Sequence, residues 1–205
     1  MKLYNSVGPN PQMVRSFMAE KGIEIPLHDI DVRGGESRRA PYMNKINPRG
    51  QCPALELDDG TIITEITTIC EYLEELHPAP ALIGTTPLER AETRMWTRRV
   101  DLSICEPLAN GYRAAEAYER FKDRFRVLPE AADGLKAIAQ DNLGWVDGSL
   151  ADGRSFLCGD RFTMADILLY SFVAFGDKVG QPLDRNKTNL VAWFERVGAR
   201  PSARA

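Results

Sequence analysis

The chain has 205 residues, of which 43% are hydrophobic and 27% charged, with a net charge of −3. That length accommodates one large or two small globular domains with a sizeable core, and the composition excludes wholesale disorder. Residues 1–78 carry 8 basic and 12 acidic side chains (net −4) and residues 79–205 carry 18 and 17 (net +1), so neither part has the basic excess of a nucleic-acid-binding domain.

Lys2-Leu3-Tyr4 reads as a short strand. Asn10-Pro11 predicts a helix start, with Asn10 as N-cap and Pro11 at the first helical position. Met13, Val14, Phe17 and Met18 then share one face, and Gly22 ends the helix. Pro26 to Val32 is expected to be a second strand, with Leu27, Asp29 and Asp31 opposite His28, Ile30 and Val32. Gly34 to Ala40 reads as a loop, and a short helix is expected from Pro41 to Ile46. Asn47-Pro48-Arg49-Gly50-Gln51-Cys52-Pro53 is a loop by composition. Ala54 to Leu57 and Thr61 to Ile63 form a hairpin around Asp58-Asp59-Gly60. Ile66, Ile69, Cys70, Leu73 and Leu76 recur at helical spacing. The order β-α-β-α-β-β-α is that of a thioredoxin-like domain, here residues 1–78.

A Pro-rich linker, residues 79–86, leads to an all-helical second domain, residues 87–205. One long helix is expected over 87–114, kinked at Pro107. A second runs from Glu130 to Ala151, with Leu135, Ile138, Leu143, Val146 and Leu150 as its apolar face. Thr163-Met164-Ala165-Asp166 has the form of a capping box ahead of an apolar helix, and Leu190, Trp193, Phe194 and Val197 mark the last helix. The longest apolar run, Ile167–Phe175, is broken by Ser171 and falls far short of the ~20 residues of a membrane span. The first five residues lack the apolar stretch of a signal peptide, so cytoplasmic residence and no membrane partner are expected. The cysteines, Cys52, Cys70, Cys105 and Cys158, are scattered, and His28 and His77 are the only histidines. Neither a disulfide framework nor a metal site is expected.

Several motifs occur in a recognisable order. Asn47-Pro48-x-Gly50-Gln51-x-Pro53-x-Leu55 is followed by Asp59-Gly60, Thr64-Glu65 and Ile69-x-x-Tyr72-Leu73. Far downstream come Gly159-Asp160-x-x-Thr163-x-Ala165-Asp166, then Trp193-x-x-Arg196-Val197 and Arg200-Pro201. Over nearly its whole length the chain resembles the cytosolic glutathione S-transferase superfamily. Its Pro9-Asn10-Pro11 pattern is similar to a bacterial and fungal subgroup without the usual catalytic Tyr, Ser or Cys.

The resemblance implies that glutathione binds the first domain and that Pro53 follows a cis bond. Glutathione carries two carboxylates, an ammonium and a thiol. A turn at Gln51-Cys52-Pro53 would leave the Cys52 backbone open to the cysteinyl part, as an added strand would pair. The helix start at Glu65-Ile66-Thr67 suits the γ-glutamyl carboxylate, and Glu65 its ammonium. Arg39, with Arg38 and Arg49, is near the expected edge for the glycyl carboxylate. Ile66 stands where most relatives have Ser, which removes one hydroxyl from that grip. For the group that activates the thiol, the resemblance points to the stretch after the first strand. Asn10 is the first candidate there, through its amide and the helix dipole, and Ser6 the second. Tyr112 and Tyr118 are candidates for the second-substrate site.

The implied function is conjugation of the glutathione thiolate to a small hydrophobic electrophile by a homodimer, with Trp96, Arg98 and Arg99 on the interface helix. Another glutathione-dependent reaction (peroxidase, isomerase or lyase) and a non-catalytic binding or regulatory role remain the alternatives. Disulfide exchange is disfavoured, because no cysteine stands at the first helix start.

Overall fold

The computed structural model describes residues 1–205, which divide into two compact units: Met1–Ala81 with Arg204–Ala205, and Leu82–Ala203. In the first, β1 (Lys2–Asn5), α1 (Pro9–Lys21), β2 (Leu27–Asp29), α2 (Ala40–Lys45), β3 (Ala54–Glu56), β4 (Ile62–Ile63) and α3 (Ile66–Leu76) follow the thioredoxin-like order. The sheet runs β2-β1-β3-β4. β1 pairs parallel with β2 (Leu3 opposite Leu27) and antiparallel with β3 (Tyr4 opposite Ala54), and β3 pairs antiparallel with β4 (Leu55 opposite Ile63).

Strand periodicity splits this core into two layers. Leu3 and Leu55 are fully buried, as are Met13, Val14 and Phe17 of α1 and Ile69, Cys70 and Leu73 of α3. The alternate residues Tyr4 and Ala54 pack instead with Ile30 and Tyr42, flanked by Val32, Ile46, Cys52 and Ile62. β2 is shorter than expected, and its three residues are all exposed. Asp29 is the last paired residue, and Ile30 and Val32 reach the second layer from the segment beyond it. Leu76 also departs from its expected place and is 47% exposed at the last turn of α3.

α1 begins earlier than its sequence suggests. Gly8, at φ 116°, is the N-cap, Pro9 is the first helical residue, and Asn10 lies inside the first turn. At the far end Gly22 adopts φ 64°, and Ile23 N–H closes on Met18 C=O at 2.9 Å, a left-handed helix stop that glycine tolerates without penalty. Beside it the Lys21 ammonium is fully buried. It pairs with Glu74 at 2.6 Å and donates to the carbonyls of His77 (2.6 Å) and Pro80 (2.7 Å), tying α1 to the end of α3.

The second unit is helical: α4 (Pro87–Val100), α5 (Glu106–Ala114), α6 (Tyr118–Phe121), α7 (Ala132–Ser149), α8 (Met164–Lys178) and α9 (Thr188–Gly198). The expected kink at Pro107 takes the form of a π-turn over Asp101–Cys105. Proline has no N–H for the i−4 carbonyl and its ring crowds that carbonyl, so a wider turn just before it relieves both problems. On α7 the buried positions are Ala132, Ala139, Leu143 and Val146, a stripe set by packing against α5 and α9, and Ile138 lies off it at 47% exposure. Trp96 is only 5% exposed. It turns inward against Trp145, with Arg99 over both rings, so it does not present the outer face of α4.

Asp166, fully buried at the start of α8, organises this unit. Oδ2 accepts from Thr163 N–H (3.0 Å) and the Thr163 hydroxyl (3.1 Å); Oδ1 accepts from Leu157 N–H (2.9 Å) and Trp193 Nε1–H (2.9 Å). Burial pushes this carboxyl's pKa up, and the four donors pull it down.

Candidate functional site

The sheet register brings three separate segments to one end of the first unit. β1 ends at Asn5 just before Ser6–Asn10, β3 starts just after Gln51-Cys52-Pro53, and β4 ends just before Glu65. Because β3 is antiparallel to both β1 and β4, these three junctions fall at the same edge. The first turns of α1 and α3 open there too.

The Cys52–Pro53 peptide is cis. The loop before it is held from within. Asn47, 4% exposed, donates to Gln51 C=O at 3.0 Å and accepts from Arg49 N–H at 3.0 Å, while Gly50 N–H closes on Asn47 C=O at 2.8 Å. Gly50 is required on two counts: its φ is +62°, and a Cβ there would lie 3.0 Å from Ser37 C=O. Tyr42 O–H donates to Gln51 C=O at 2.8 Å, and its oxygen lies 3.1 Å from Cys52 Sγ. With its single proton committed to Gln51, Tyr42 accepts from the thiol. Burial raises the Cys52 pKa, so this sulfur is a protonated donor rather than a nucleophile. The Cys52 backbone N–H and C=O make no hydrogen bond within the chain and remain open as a strand edge.

Glu65 is the one non-glycine residue with positive φ (68°), at the N-cap of α3. Such a conformation costs about 1–3 kcal/mol and persists only where its surroundings impose it. Its carboxylate is exposed and caps no helix N–H. The first α-type bond of α3 is Ile69 N–H to Glu65 C=O, which leaves the N–H groups of Ile66 and Thr67 open at the positive end of the helix dipole. Anionic and cationic groups of one ligand can therefore both be met here.

At α1 the two serine and asparagine candidates separate. Ser6 is 8% exposed, and its hydroxyl donates to Ile30 C=O at 2.8 Å. That hydroxyl's single proton points to Ile30, whereas the Asn10 amide points to no acceptor of the chain. Asn10 is half-buried, and neither its side-chain amide nor its backbone N–H has a partner. Pro9 and Pro11 have no N–H, so Asn10 is the only donor among the first three residues of α1.

Arg39 is exposed and donates to Gly34 C=O at 3.2 Å. The Arg38 and Arg49 guanidiniums, also exposed, have no acidic partner. In the helical unit Tyr112 of α5 accepts from Arg120 at 3.0 Å and meets Phe175 edge-on at 5.1 Å, and Tyr118 begins α6.

Two family models match the chain: the N-terminal domain of glutathione S-transferase over residues 7–76 and its C-terminal domain over 113–201. The chain belongs to the glutathione S-transferase family. A glutathione S-transferase domain-containing protein of Marinobacter aquaeolei is 35% identical in a structure covering 99% of this chain and 100% of its own, with a TM-score of 0.93. Glutathione S-transferase 2 of Saccharomyces cerevisiae is 31% identical over 100% of this chain and 88% of its own length. The structure of beta-etherase LigF from Sphingobium is 26% identical, with a TM-score of 0.83, over 99% of this chain and 96% of its own.

Against this family background, two residues stand out that sequence reasoning passes over. Tyr42 fixes Gln51 and Cys52 from ten residues away or fewer, but it looks like any helix aromatic. Arg15, one turn into α1, donates to Asn5 Oδ1 (2.6 Å), Ser6 C=O (3.2 Å) and Gln12 Oε1 (2.8 Å), bracing the β1–α1 junction. Burial pulls the Arg15 pKa down, and the Asp29 charge acts in the opposite direction. No local pattern marks either residue, because both act on groups that meet only after the sheet forms.

Proposed function

We propose that the protein is a cytoplasmic glutathione transferase that adds the glutathione thiolate to a small electrophile. Glutathione lies across the open edge of the first unit. Its cysteinyl backbone pairs with Cys52, while Gln51 and the cis turn at Pro53 line the same edge. The γ-glutamyl carboxylate meets the N–H groups of Ile66 and Thr67, and its ammonium meets Glu65. Arg39, Arg38 and Arg49 face the glycyl carboxylate. Asn10 donates to the sulfur and, with the dipole of α1, favours the thiolate. The thiolate forms a bond to the electrophilic carbon, the leaving group departs with the bond electrons, and the thiol proton passes to solvent.

One observation carries this reading: an unpartnered carboxylate at Glu65, held at φ 68° over an uncapped helix start. A plain helix cap has no use for that backbone conformation, whereas a ligand bearing both an ammonium and a carboxylate does. Similarity to beta-etherase LigF supports a second reading, in which the thiolate cleaves an ether rather than completing a detoxifying conjugation.

The experiment is calorimetric titration of glutathione into wild type and Glu65→Gln, with thioether formation from 1-chloro-2,4-dinitrobenzene followed in parallel. Glu65→Gln keeps the shape and removes the charge. It is expected to weaken glutathione at least tenfold, about 1.4 kcal/mol. Equal affinity in the two proteins would reduce Glu65 to a helix-terminal acid and sink the proposed site. Tight glutathione binding without conjugation of any halide electrophile would favour the ether-cleaving reading.

A further inference from the structure

The Gln51–Cys52 peptide is trans, so its carbonyl and its N–H point in opposite directions from one plane. Two donors hold the carbonyl: the Tyr42 hydroxyl at 2.8 Å and Asn47 Nδ2 at 3.0 Å. Both donor residues are buried, so Gln51 C=O faces inward. A carbonyl oxygen has two lone pairs, and both are used. Turning Gln51 C=O inward turns the Cys52 N–H outward, and that N–H has no partner in the chain. It is the group with which the cysteinyl backbone of glutathione pairs in the proposed site.

Tyr42 grips this loop at both ends. At the start its own carbonyl, in α2, accepts from Ile46 N–H at 2.8 Å and from Asn47 N–H at 3.1 Å. At the end its hydroxyl donates to Gln51 C=O, and its oxygen accepts from the Cys52 thiol at 3.1 Å. The ring itself is fixed: it meets Tyr4 edge-on at 5.9 Å and packs in one layer with Ile30 and Ala54. Burial pushes the Tyr42 pKa up, and the Cys52 contact acts in the same direction, so the hydroxyl keeps the proton that it donates. Packing alone asks only for the ring, which Phe would supply. The hydroxyl is committed wholly to the loop.

We infer that Tyr42 is a positioning residue for glutathione: its hydroxyl fixes the plane of the Gln51–Cys52 peptide, and through that plane the direction of the Cys52 N–H. The inference rests on the reading of this edge as the glutathione site. It gives Tyr42 a part in affinity rather than in chemistry, because the hydroxyl lies on the opposite side of the peptide plane from the ligand and the thiolate is met by Asn10. Without the hydroxyl, Asn47 alone holds the carbonyl and the plane turns more freely. The apparent affinity then falls with the fraction of molecules that present the N–H. The Cys52 thiol supports the same lock from its side chain, with a smaller effect because S–H is a weak donor.

The test is calorimetric titration of glutathione into wild type, Tyr42→Phe, Tyr4→Phe, Cys52→Ala and Cys52→Ser, with conjugation of 1-chloro-2,4-dinitrobenzene followed over a range of glutathione concentrations. Tyr42→Phe is expected to weaken glutathione about fivefold, the size of one ordinary hydrogen bond, and to raise KM by the same factor with kcat within about twofold of wild type. Tyr4→Phe removes a hydroxyl from the same core layer that bonds Glu56 instead of the loop, so it should leave glutathione affinity at the wild-type value. Cys52→Ser, which keeps a donor, should bind glutathione more tightly than Cys52→Ala. Equal affinity for wild type and Tyr42→Phe would overturn the inference. So would an equal loss in Tyr4→Phe, the mark of a generally loosened core, or a fall in kcat with KM unchanged. Should Tyr42→Phe not fold, a tighter Cys52→Ser than Cys52→Ala carries the inference, and equal affinities for that pair overturn it. A wild type that binds no glutathione would refute the glutathione site and this inference with it. Glutathione binding without conjugation would refute the transferase reading alone, and a fivefold loss of affinity in Tyr42→Phe would still support the role of Tyr42.

Discussion

Asp166→Ala is the most informative single perturbation of the fold. It removes one carboxylate that accepts four hydrogen bonds in a fully buried site, two from backbone N–H groups, one from an indole and one from a hydroxyl. The Thr163 hydroxyl can rotate to another acceptor. The N–H groups of Leu157 and Thr163 and the Trp193 indole cannot. Each buried donor left unmatched costs about 1–3 kcal/mol, so three give an upper range near 9 kcal/mol. Two effects reduce this. The carboxyl is itself desolvated, as its raised pKa indicates, so its removal recovers part of that penalty. Deleting it also leaves space that a water can enter. The expected loss is about 3–5 kcal/mol, large against a typical total stability of about 5–15 kcal/mol. Urea unfolding followed by tryptophan fluorescence suits the test, because Trp96, Trp145 and Trp193 all lie in the helical unit. Asp166→Asn keeps one acceptor oxygen for Leu157 and Trp193 but turns an NH2 toward Thr163 N–H, so it should fall between wild type and Asp166→Ala. A loss below about 1 kcal/mol for Asp166→Ala would show that water or a shifted neighbour satisfies these donors, and the argument from the four bonds would fail.

Glu89 gives a pH signature. Hydrogen bonds from the Thr85 hydroxyl and from the Thr85 and Thr86 N–H groups hold its pKa down at about 2, against an ordinary 4.5. With the folded value depressed, the cap's contribution is present above the ordinary value and is lost as pH falls from about 4.5 through about 2. Carboxyl-carbon NMR should therefore find a midpoint near 2, and a midpoint near 4.5 would mean that the cap at the start of α4 is not formed in solution. α4 and the π-turn that follows it bear three exposed apolar residues seven positions apart, Leu88 (79% exposed) and Met95 (41%) on the helix and Leu102 (50%) on the turn. We propose that a second copy of the chain covers these three residues in a symmetric homodimer, and sedimentation should show that dimer for wild type and a monomer for Met95→Glu with Leu102→Glu. A wild-type monomer at micromolar concentration would refute it.

Much of this protein follows from the sequence alone. The strand–helix order of the first unit, the apolar face of α1, the glycine that stops it and the capping box at Thr163 and Asp166 are all local patterns. Each depends on side-chain period or on the chemistry of one turn, and neither needs knowledge of the rest of the chain. The motif from Asn47 to Glu65 likewise pointed to the loop whose Cys52–Pro53 bond is cis and to the start of α3, because a proline, a glycine and an acid at set spacings are legible one at a time. Tertiary structure decided what meets what. The helix cap fell on Gly8 rather than Asn10, with Pro9 as the first helical residue. The Ser6 hydroxyl met the Ile30 carbonyl, and Trp96 turned inward to Trp145. Arg15 and Tyr42 became braces only when the β1–α1 junction and the loop before β3 folded back onto them. Sequence periodicity tells how much of a residue must be buried, but which partner takes its last hydrogen bond depends on chain segments far away, and that is settled only when the core closes.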